Sequence, residues 1–283
     1  MPHQTKYFLA GVMGHPVMHS RSPKLHNYWL ALHGIEGHYA PIEVRREALE
    51  RALRALSSLG YSGVNLTIPL KEEALKIVDR IDPAARQIGA INCVVVAEDG
   101  SLDGYNYDAF GFTASILEAE PHWRADAGPV VVLGAGGASR AVLAGLIKAG
   151  VHEIRLTNRT QERAIALAQE FGPPVSVHDW ADRAELLAGA AMLVNTTSMG
   201  MTGQPPLDIA LDRLEAQALV ADIVYVPLET DLLRRAKLRR NRTVDGLGML
   251  LHQARPAFRH FFGLTPEVTP AVRALIEATL GTT

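Results

Sequence analysis

The sequence predicts an α/β protein of two domains, an N-terminal α/β substrate domain and a doubly wound, Rossmann-like domain with a parallel sheet. Its 283 residues exceed the length of a typical single domain. From Val130 onward, short apolar runs alternate with helical patterns at a regular spacing, which is typical of a parallel sheet covered by helices. Before that point strand-like and helix-like segments also alternate, but polar clusters interrupt them.

The N-terminal portion is expected to begin with a strand, because apolar residues run from Tyr7 to Val12 before a turn at Gly14. Further strands are expected at 42–44, 63–68 and 90–96, and helices at 23–33, 47–59 and 110–120. Residues 121–129 are rich in turn formers and are interpreted as a hinge.

The second portion is expected to hold strands at 130–133, 153–157, 175–177, 192–194 and 219–226. The helix after the first of these strands should end at Gly150. The tail after Gly246 is helical and is expected to return to the first domain. The predicted domains are therefore 1–112 with 246–283, which would bind substrate, and 113–245, which would bind a cofactor, with the substrate in the cleft between them.

The composition, with 48% hydrophobic and 20% charged residues, is that of an ordinary globular protein. A net charge of −2 gives no electrostatic reason to expect nucleic acid or a membrane surface as a partner. No apolar run is long enough to cross a bilayer. The lone Cys93 excludes an internal disulfide and fits a reducing compartment, and a cytoplasmic location is expected. The expected partner is a small-molecule substrate, and the chain is expected to be a monomer or homodimer. The N-terminal histidines lack clustered Asp, Glu or Cys, and no metal site is predicted.

A glycine-rich turn follows the first strand of the second domain and opens a helix. Such a turn presents backbone N–H groups and the positive end of a helix to a diphosphate. Ser139 stands where a third glycine is usual, and a small residue there still permits close packing of helix against strand. The predicted phosphate-binding residues are Gly134, Gly136, Gly137, Ala138 and Ser139.

The end of the next strand predicts which dinucleotide binds. An NAD site usually has Asp or Glu there, roughly 20 residues beyond the glycines, to bind a ribose hydroxyl. This chain has Asn158, Arg159 and Thr160 instead, with Arg163 one turn later. Guanidinium groups bind a 2′-phosphate, so the predicted cofactor is NADP. The alternative, that both arginines are only solvated charges, is disfavoured because cations at a helix start oppose the helix dipole.

Two polar clusters in the first domain suggest substrate contacts. Ser22 is expected to cap the helix that begins at Pro23, and Ser20 and Ser22 together offer two hydroxyls that suit a carboxylate. In the second cluster, alternation places Asn65 and Thr67 on one face of a strand, opposite the apolar set Val64, Leu66 and Ile68.

Lys71 follows that strand, and Asp108 lies in a third cluster at residues 104–111. The chain has 22 Arg but only 6 Lys, and a lysine can lose its proton where an arginine cannot. Asp108 beside Lys71 would keep the lysine oriented for proton transfer. The alternatives, a surface charge for Lys71 and a helix cap for Asp108, remain open from the residues alone.

Taken together, the chain resembles the shikimate dehydrogenase family over nearly its full length. The motifs of the first domain are 14–23 (GHPVMHSRSP), 65–71 (NLTIPLK), 89–92 (GAIN) and 106–111 (NYDAFG). Those of the second are 134–140 (GAGGASR), 158–160 (NRT), 195–200 (NTTSMG) and 245–250 (DGLGML).

The resemblance implies NADP-dependent oxidation of shikimate to 3-dehydroshikimate, which runs in reverse in the biosynthesis of chorismate and aromatic amino acids. It implies that Lys71, coupled to Asp108, moves the proton of the reacting hydroxyl. It further implies that Ser20 and Ser22 hold the substrate carboxylate. The ring hydroxyls would be bound by Asn65, Thr67, Asn92, Asp108 and Gln253. The nicotinamide would neighbour Ile223, Tyr225, Gly246 and Met249, and the turn that holds Thr196 would lie near the cofactor.

Tyr107 departs from the family, which usually has threonine before the catalytic aspartate. A phenol keeps a hydroxyl but fills more space, so we include Tyr107 among the substrate-binding residues and keep two alternatives. One is a quinate/shikimate dehydrogenase paralogue with a different substrate or cofactor preference. The other is a non-catalytic NADP-binding regulator, which the retained Lys71 and Asp108 disfavour.

Overall fold

The computed structural model describes residues 7–281 and divides them into two compact units, each built around a six-stranded sheet. The first unit comprises residues 7–107 and 253–279, and the second comprises 108–252 with 280 and 281. The predicted fold class is confirmed. The chain passes from the first unit to the second at 107/108 and returns at 252/253, whereas the sequence placed these points at 112/113 and 245/246.

The first unit has a mixed sheet. Its strands are β1 (Phe8–Gly14), β2 (Gly37–Glu43), β3 (Tyr61–Leu66), β4 (Arg80–Ile81), β5 (Cys93–Val96) and β6 (Leu102–Tyr105), and its helices include α1 (Ser22–Leu32), α2 (Leu49–Ala55) and α3 (Pro83–Ile88). The order across the sheet is β2-β1-β3-β5-β6-β4. Strand β1 runs parallel to β2 and β3, whereas β5 runs antiparallel to β3 and β6.

Several elements of this sheet differ from the sequence-based expectations. Strand β2 has seven residues rather than three, because it pairs with β1 along its whole length, from Gly37 opposite Phe8 to Glu43 opposite Gly14. Strands β4 and β6 were not predicted, and β5 is shorter than the expected strand at 90–96. These short strands are defined by their neighbours rather than by a long apolar run of their own.

The second unit has a fully parallel sheet of order β12-β11-β10-β7-β8-β9. Its strands are β7 (Val130–Leu133), β8 (Ile154–Thr157), β9 (Val175–His178), β10 (Met192–Asn195), β11 (Leu219–Asp222) and β12 (Arg242–Val244). Its helices include α4 (Asp108–Ala119), α5 (Gly137–Ala149), α6 (Gln161–Phe171) and α7 (Asp231–Leu238). The chain ends in α8 (Gly246–Phe262) and α9 (Pro270–Glu277); α9 and the part of α8 from Gln253 belong to the first unit.

Both faces of the parallel sheet are buried. Val130 and Val132 of β7 belong to one apolar cluster, and Val131 and Leu133 belong to another on the opposite face. A strand covered on both sides reads as a continuous apolar run, which is why these strands were predictable. Helix α5 ends at Gly150, whose positive φ of 98° forms the expected left-handed cap.

Residues 121–129 do not form the expected hinge. They lie within the second unit, and Trp123 and Ala125 pack against its core. The turn formers there serve a surface connection inside one unit. Separately, none of the helices within residues 7–281 has the length and apolarity needed to span a membrane.

Candidate active site

The turn between β7 and α5 needs glycine at its first position. Gly134 has a φ of 108°, a conformation that L side chains rarely adopt. A Cβ added there would also lie 2.7 Å from Oγ1 of Thr196. The backbone can therefore pass close to the turn after β10 only without a side chain.

The N-terminus of α5 is open to an anion. Gly136 occupies the N-cap position and no side chain bonds to the first turn, which also contains no acidic residue. A Cβ added to Gly136 would meet no atom within 4 Å, so there is free space beside it. The first backbone N–H groups of the helix, at Gly137 and Ala138, have no partner inside the helix. This arrangement fits a diphosphate.

Ser139 is completely buried and joins three segments. Its hydroxyl donates to the carbonyl oxygen of Gly134 and lies 3.0 Å from Oγ1 of Thr196. The Thr196 hydroxyl in turn donates to the carbonyl of Leu133 at 2.7 Å. A glycine at position 139 would lack these bonds, so the departure from the usual motif strengthens the turn.

The end of β8 carries the two arginines expected to bind a 2′-phosphate. Asn158 accepts the N–H of Ala135 at 3.1 Å and donates to the carbonyl of Thr160 at 2.7 Å, which ties this segment to the glycine turn. Arg159 and Arg163 are exposed, and neither has an acidic partner within residues 7–281. Two exposed cations with no carboxylate partner at a helix start suit a phosphate group.

A small, shallow depression lies at the ends of β11 and β12. Its lining includes Ile223, Gly246 and Met249, three of the residues expected beside the nicotinamide. Tyr225 is half-buried and is not part of this lining. A Cβ on Gly246 would overlap the backbone around Ile223 and would lie 2.8 Å from the carbonyl oxygen of Val224, so only glycine allows the approach.

Asp222, which the sequence analysis did not single out, supports this depression. Its carboxylate accepts from Nδ2 of Asn195 at 3.0 Å, from the N–H of Val224 at 3.0 Å and from the hydroxyl of Thr230 at 2.7 Å. Burial raises its pKa to about 6, although these hydrogen bonds oppose the shift. An aspartate directly after the apolar run 219–221 is the sequence signal that marks it.

The serine pair at α1 is arranged differently from the expectation. The helix begins at Ser22 itself, Arg21 occupies the N-cap position, and no side chain caps the helix there. The predicted capping role of Ser22 is wrong, because Ser22 already lies inside the helix. A bond from the N–H of Ser20 to the carbonyl of Val17 closes a turn just before the helix. Oγ of Ser20 then lies 3.3 Å from the N–H of Ser22, so Ser20 is the acceptor.

The segment after β3 also differs from the sequence-based expectation in one respect. The strand ends at Leu66, so the expected alternation stops there and Ile68 is 75% exposed instead of joining the apolar face. Asn65 is buried and Thr67 half-buried. Lys71 is half-buried in the turn before a short 3₁₀ segment, and its carbonyl accepts the N–H of Ile91 at 2.8 Å.

Side-chain amides of the first unit form a connected chain. Tyr39 donates from its hydroxyl to Oδ1 of Asn65 at 2.8 Å, and Nδ2 of Asn65 donates to the backbone carbonyl of Asn92 at 3.0 Å. Nδ2 of Asn92 donates to Oε1 of Gln253 at 3.3 Å, and Oδ1 of Asn92 accepts the N–H of Tyr107 at 2.9 Å. Four of the expected substrate residues are thus brought together, and Tyr39 is an unpredicted fifth member.

The Tyr107 phenol contacts His260 rather than standing alone. Its Oη lies 2.6 Å from Nε2 of His260, and its ring stacks on Tyr105 with 5.8 Å between centroids. Burial raises the pKa of Tyr107 and lowers that of His260, so the phenol is the donor and the neutral imidazole the acceptor. Asp108, the first residue of α4, is buried.

Within the described part of the chain, no group of three His, Cys, Asp or Glu side chains is arranged to hold a metal ion. The single thiol, Cys93, is completely buried, and burial raises its pKa. A neutral thiol is a poor metal ligand and a poor nucleophile.

Family models match most of the chain. "Shikimate dehydrogenase substrate binding domain" matches residues 12–94, "Shikimate / quinate 5-dehydrogenase" matches 119–224, and "Shikimate 5'-dehydrogenase C-terminal domain" matches 246–276.

Named relatives agree with these matches. The chain is 55% identical to the shikimate dehydrogenase (NADP(+)) of Paramagnetospirillum magneticum, over 95% of this chain and 97% of that protein. Among solved structures, it is similar to the quinate dehydrogenase of Corynebacterium glutamicum in complex with NAD, with TM-score 0.90, 33% identity and coverage of 96% and 100%. It is also similar to the shikimate 5-dehydrogenase of Thermus thermophilus in complex with NADP(H) and shikimate, with TM-score 0.84, 37% identity and coverage of 96% and 98%.

These matches cover the segments that carry the glycine turn, the amide chain and the C-terminal helices. They confirm the resemblance drawn from the motifs. The chain belongs to the shikimate dehydrogenase family.

Proposed function

We propose that the chain catalyses the reversible, NADP-dependent oxidation of shikimate to 3-dehydroshikimate, and that it works in the cell as the reductase that leads to chorismate and the aromatic amino acids. The observation that carries this proposal is 55% identity, over 95% of the chain, to an enzyme named shikimate dehydrogenase (NADP(+)). The open N-terminus of α5 and the exposed Arg159 and Arg163 support the choice of cofactor.

When bound, NADP⁺ supplies the hydride acceptor. The backbone N–H groups at Gly137 and Ala138, in the first turn of α5, are proposed to bind its diphosphate, and Arg159 and Arg163 its 2′-phosphate. The residues proposed to neighbour the nicotinamide are Ile223, Tyr225, Gly246 and Met249, and Thr196 is proposed to lie near the cofactor. The depression lined by three of them, at the ends of β11 and β12, supports this assignment.

On the substrate side, Ser20 and Ser22 are proposed to donate hydrogen bonds to the carboxylate. Lys71 is proposed to accept the proton of the reacting hydroxyl in the oxidation and to return it in the reduction, with Asp108 as its partner. The ring hydroxyls would be positioned by Asn65, Thr67, Asn92 and Gln253, and Tyr107 would hold the Asn92 side chain through its backbone N–H. The chain of hydrogen bonds that joins Asn65, Asn92 and Gln253 supports a single preorganised surface.

Steady-state turnover with shikimate and with quinate, each with NADP⁺ and with NAD⁺, tests the proposal. We expect the highest kcat/KM for shikimate with NADP⁺. A higher kcat/KM for quinate would establish the alternative, a quinate dehydrogenase. Two observations favour that alternative: the fold similarity to the Corynebacterium enzyme and the presence of Tyr107 where the family usually has threonine. NADP binding without turnover on either substrate would instead indicate a regulator.

The proposal includes a cytoplasmic location and a monomer or homodimer. The single Cys93 can form no disulfide within the chain, which is compatible with a reducing compartment. Size-exclusion chromatography with light scattering on the purified chain measures the number of subunits, and a trimer or larger assembly would contradict this part of the proposal.

A further inference from the structure

Tyr39 is a completely buried tyrosine in β2, the edge strand of the first unit. It is not among the residues that the family motifs in this chain mark for substrate, cofactor or proton transfer. A buried phenol usually bonds to a partner, because an unpaired hydroxyl in an apolar core costs free energy. The partner of this phenol is Asn65, one of the proposed substrate-binding residues.

Tyr39 is held rigidly from three directions. Its backbone N–H and C=O both bond to the side chain of Asn27 on α1, at 3.0 and 2.9 Å. Its ring stacks on His26 of the same helix, with 4.0 Å between the ring centroids and an interplanar angle of 10°. The third contact is the 2.8 Å bond from Oη to Oδ1 of Asn65. The phenol therefore cannot turn away without breaking the packing on α1.

The hydrogen bonds of Asn65 show that its Oδ1 faces Tyr39 and its Nδ2 faces Asn92. The carbonyl oxygen of Asn92 can only accept, so the atom that lies 3.0 Å from it must be Nδ2 of Asn65. Oδ1 then faces Tyr39, whose hydroxyl must donate. Burial raises the pKa of Tyr39 well above its usual value, so the hydroxyl keeps its proton.

One N–H of Nδ2 is left over from this arrangement. Oδ1 is bonded to Tyr39 and one N–H to Asn92, and the second N–H has no partner within residues 7–281. An amide held in this way offers a hydrogen-bond donor to the substrate and withholds its acceptor. A substrate hydroxyl would therefore accept a hydrogen bond from this N–H through its oxygen.

We propose that Tyr39 is a positioning residue for substrate recognition, which holds the Asn65 amide so that it donates to a hydroxyl oxygen of the bound polyol acid. This role rests on the proposed function, because Asn65 is assigned to substrate there. Tyr39 acts only through Asn65. Without the phenol hydroxyl, Oδ1 would be a buried acceptor with no partner, and the amide would turn toward any other donor, including the substrate.

Tyr39→Phe tests this directly, because it removes the hydroxyl and keeps the ring that stacks on His26. We expect the KM for shikimate to rise about tenfold, equivalent to about 1.4 kcal/mol, with kcat and the KM for NADP⁺ within about twofold of wild type. The matched control is Tyr61→Phe, the same change at the first residue of β3, with an expected KM equal to wild type. A lower melting temperature with an unchanged KM would overturn the proposal, because it would show a structural role only.

A double-mutant cycle with Asn65→Ala separates action through Asn65 from an independent effect. In the Asn65→Ala background, Tyr39→Phe should change kcat/KM by less than about twofold, because the group that it positions is absent. If the two losses multiplied, Tyr39 would act by another route and the proposal would fail.

A third readout needs no turnover and so separates this proposal from the proposed function. The side-chain amide signal of Asn65 in the ¹H–¹⁵N spectrum is identified by its disappearance in Asn65→Ala. It should shift and exchange faster with solvent in Tyr39→Phe but not in Tyr61→Phe. An unchanged signal would contradict the positioning role even in an active enzyme. A shifted signal in a chain that does not oxidise shikimate would uphold it and reject the substrate.

Discussion

The two units of this molecule present polar groups in different ways. In the second unit the candidate binding groups are backbone N–H groups at a helix start, exposed guanidiniums and the ends of strands, as at Gly136 and Arg159. In the first unit they are the buried side-chain amides of Asn65, Asn92 and Gln253, which hydrogen bonds link into one chain. The phenol of Tyr39 bonds to the Asn65 end of this chain. Substitutions in the second unit should therefore act locally, whereas those in the first unit should be transmitted along the amide chain.

The largest expected effect is that of Lys71→Ala. If Lys71 exchanges the proton of the reacting hydroxyl, kcat should fall by about 100-fold to 10,000-fold while the KM for NADP⁺ stays near wild type. Lys76→Ala is the matched control, because Lys76 is a nearby exposed lysine that already pairs with Glu73 at 3.2 Å. Steady-state kinetics on both variants measure this. Lost cofactor binding with normal kcat would contradict the role of Lys71.

The second-largest expected effect tests whether substitutions in the second unit act locally. Replacing either Arg159 or Arg163 by Ala should raise the KM for NADP⁺ by about 10-fold to 100-fold, since one charged hydrogen bond is worth about 1.5–3 kcal/mol. The KM for NAD⁺ and that for shikimate should not change. Arg213→Ala, which removes an exposed arginine that pairs with Glu185, is the control. Equal losses for both cofactors would show that these arginines do not bind the 2′-phosphate.

The third prediction concerns stability in acid and belongs to the first unit. Burial lowers the pKa of His26 to about 3, from 6.5. Between these two pH values the unfolded chain binds a proton that the folded chain does not. The free energy of unfolding should therefore fall by up to about 1.4 kcal/mol per pH unit below pH 6.5, and this loss should level off near pH 3.

His26→Phe removes that proton and keeps a ring to stack on Tyr39. Urea unfolding at pH 7 and at pH 5 should show that wild type loses about 2 kcal/mol more than the variant over this interval. His33→Phe, at an exposed position, should behave like wild type. The same acid loss in His26→Phe as in wild type would mean that His26 is already protonated or solvated in the fold.

The smallest expected effect is that of Tyr107→Phe. Its contact with Asn92 uses the backbone N–H, which the substitution keeps, and only the bond to His260 is lost. The kcat/KM for shikimate should change by less than about threefold, as expected for one partly exposed hydrogen bond. A tenfold loss, measured with shikimate and with quinate, would show that the phenol contacts the substrate.

The fold of the second unit was predictable for a clear physical reason. Its strands are buried on both faces and appear as apolar runs, and its helix stop at Gly150 is a local signal. The first unit was harder to predict because β4 and β6 are short and are defined by pairing. The extra length of β2, which brings Tyr39 into the sheet, likewise comes from β1 and not from its own sequence.

The candidate site shows the same division. Arg159 and Arg163 were identified from one local segment, whereas Tyr39 was missed because a lone tyrosine in an edge strand carries no pattern. The exposure of Ile68 was missed because alternation alone cannot tell where β3 ends. The cap at α1 was misassigned because it depends on the turn from Val17 to Ser20, which is a three-dimensional feature.

The central claim is that this chain transfers a hydride between shikimate and NADP. It is tested most directly by incubating the purified chain with shikimate and NADP⁺ and measuring both products, NADPH by absorbance and 3-dehydroshikimate by NMR. We expect the two products to appear in equal amounts and Lys71→Ala to nearly abolish both. No turnover of shikimate, or NADPH formed without an equal amount of 3-dehydroshikimate, would contradict it.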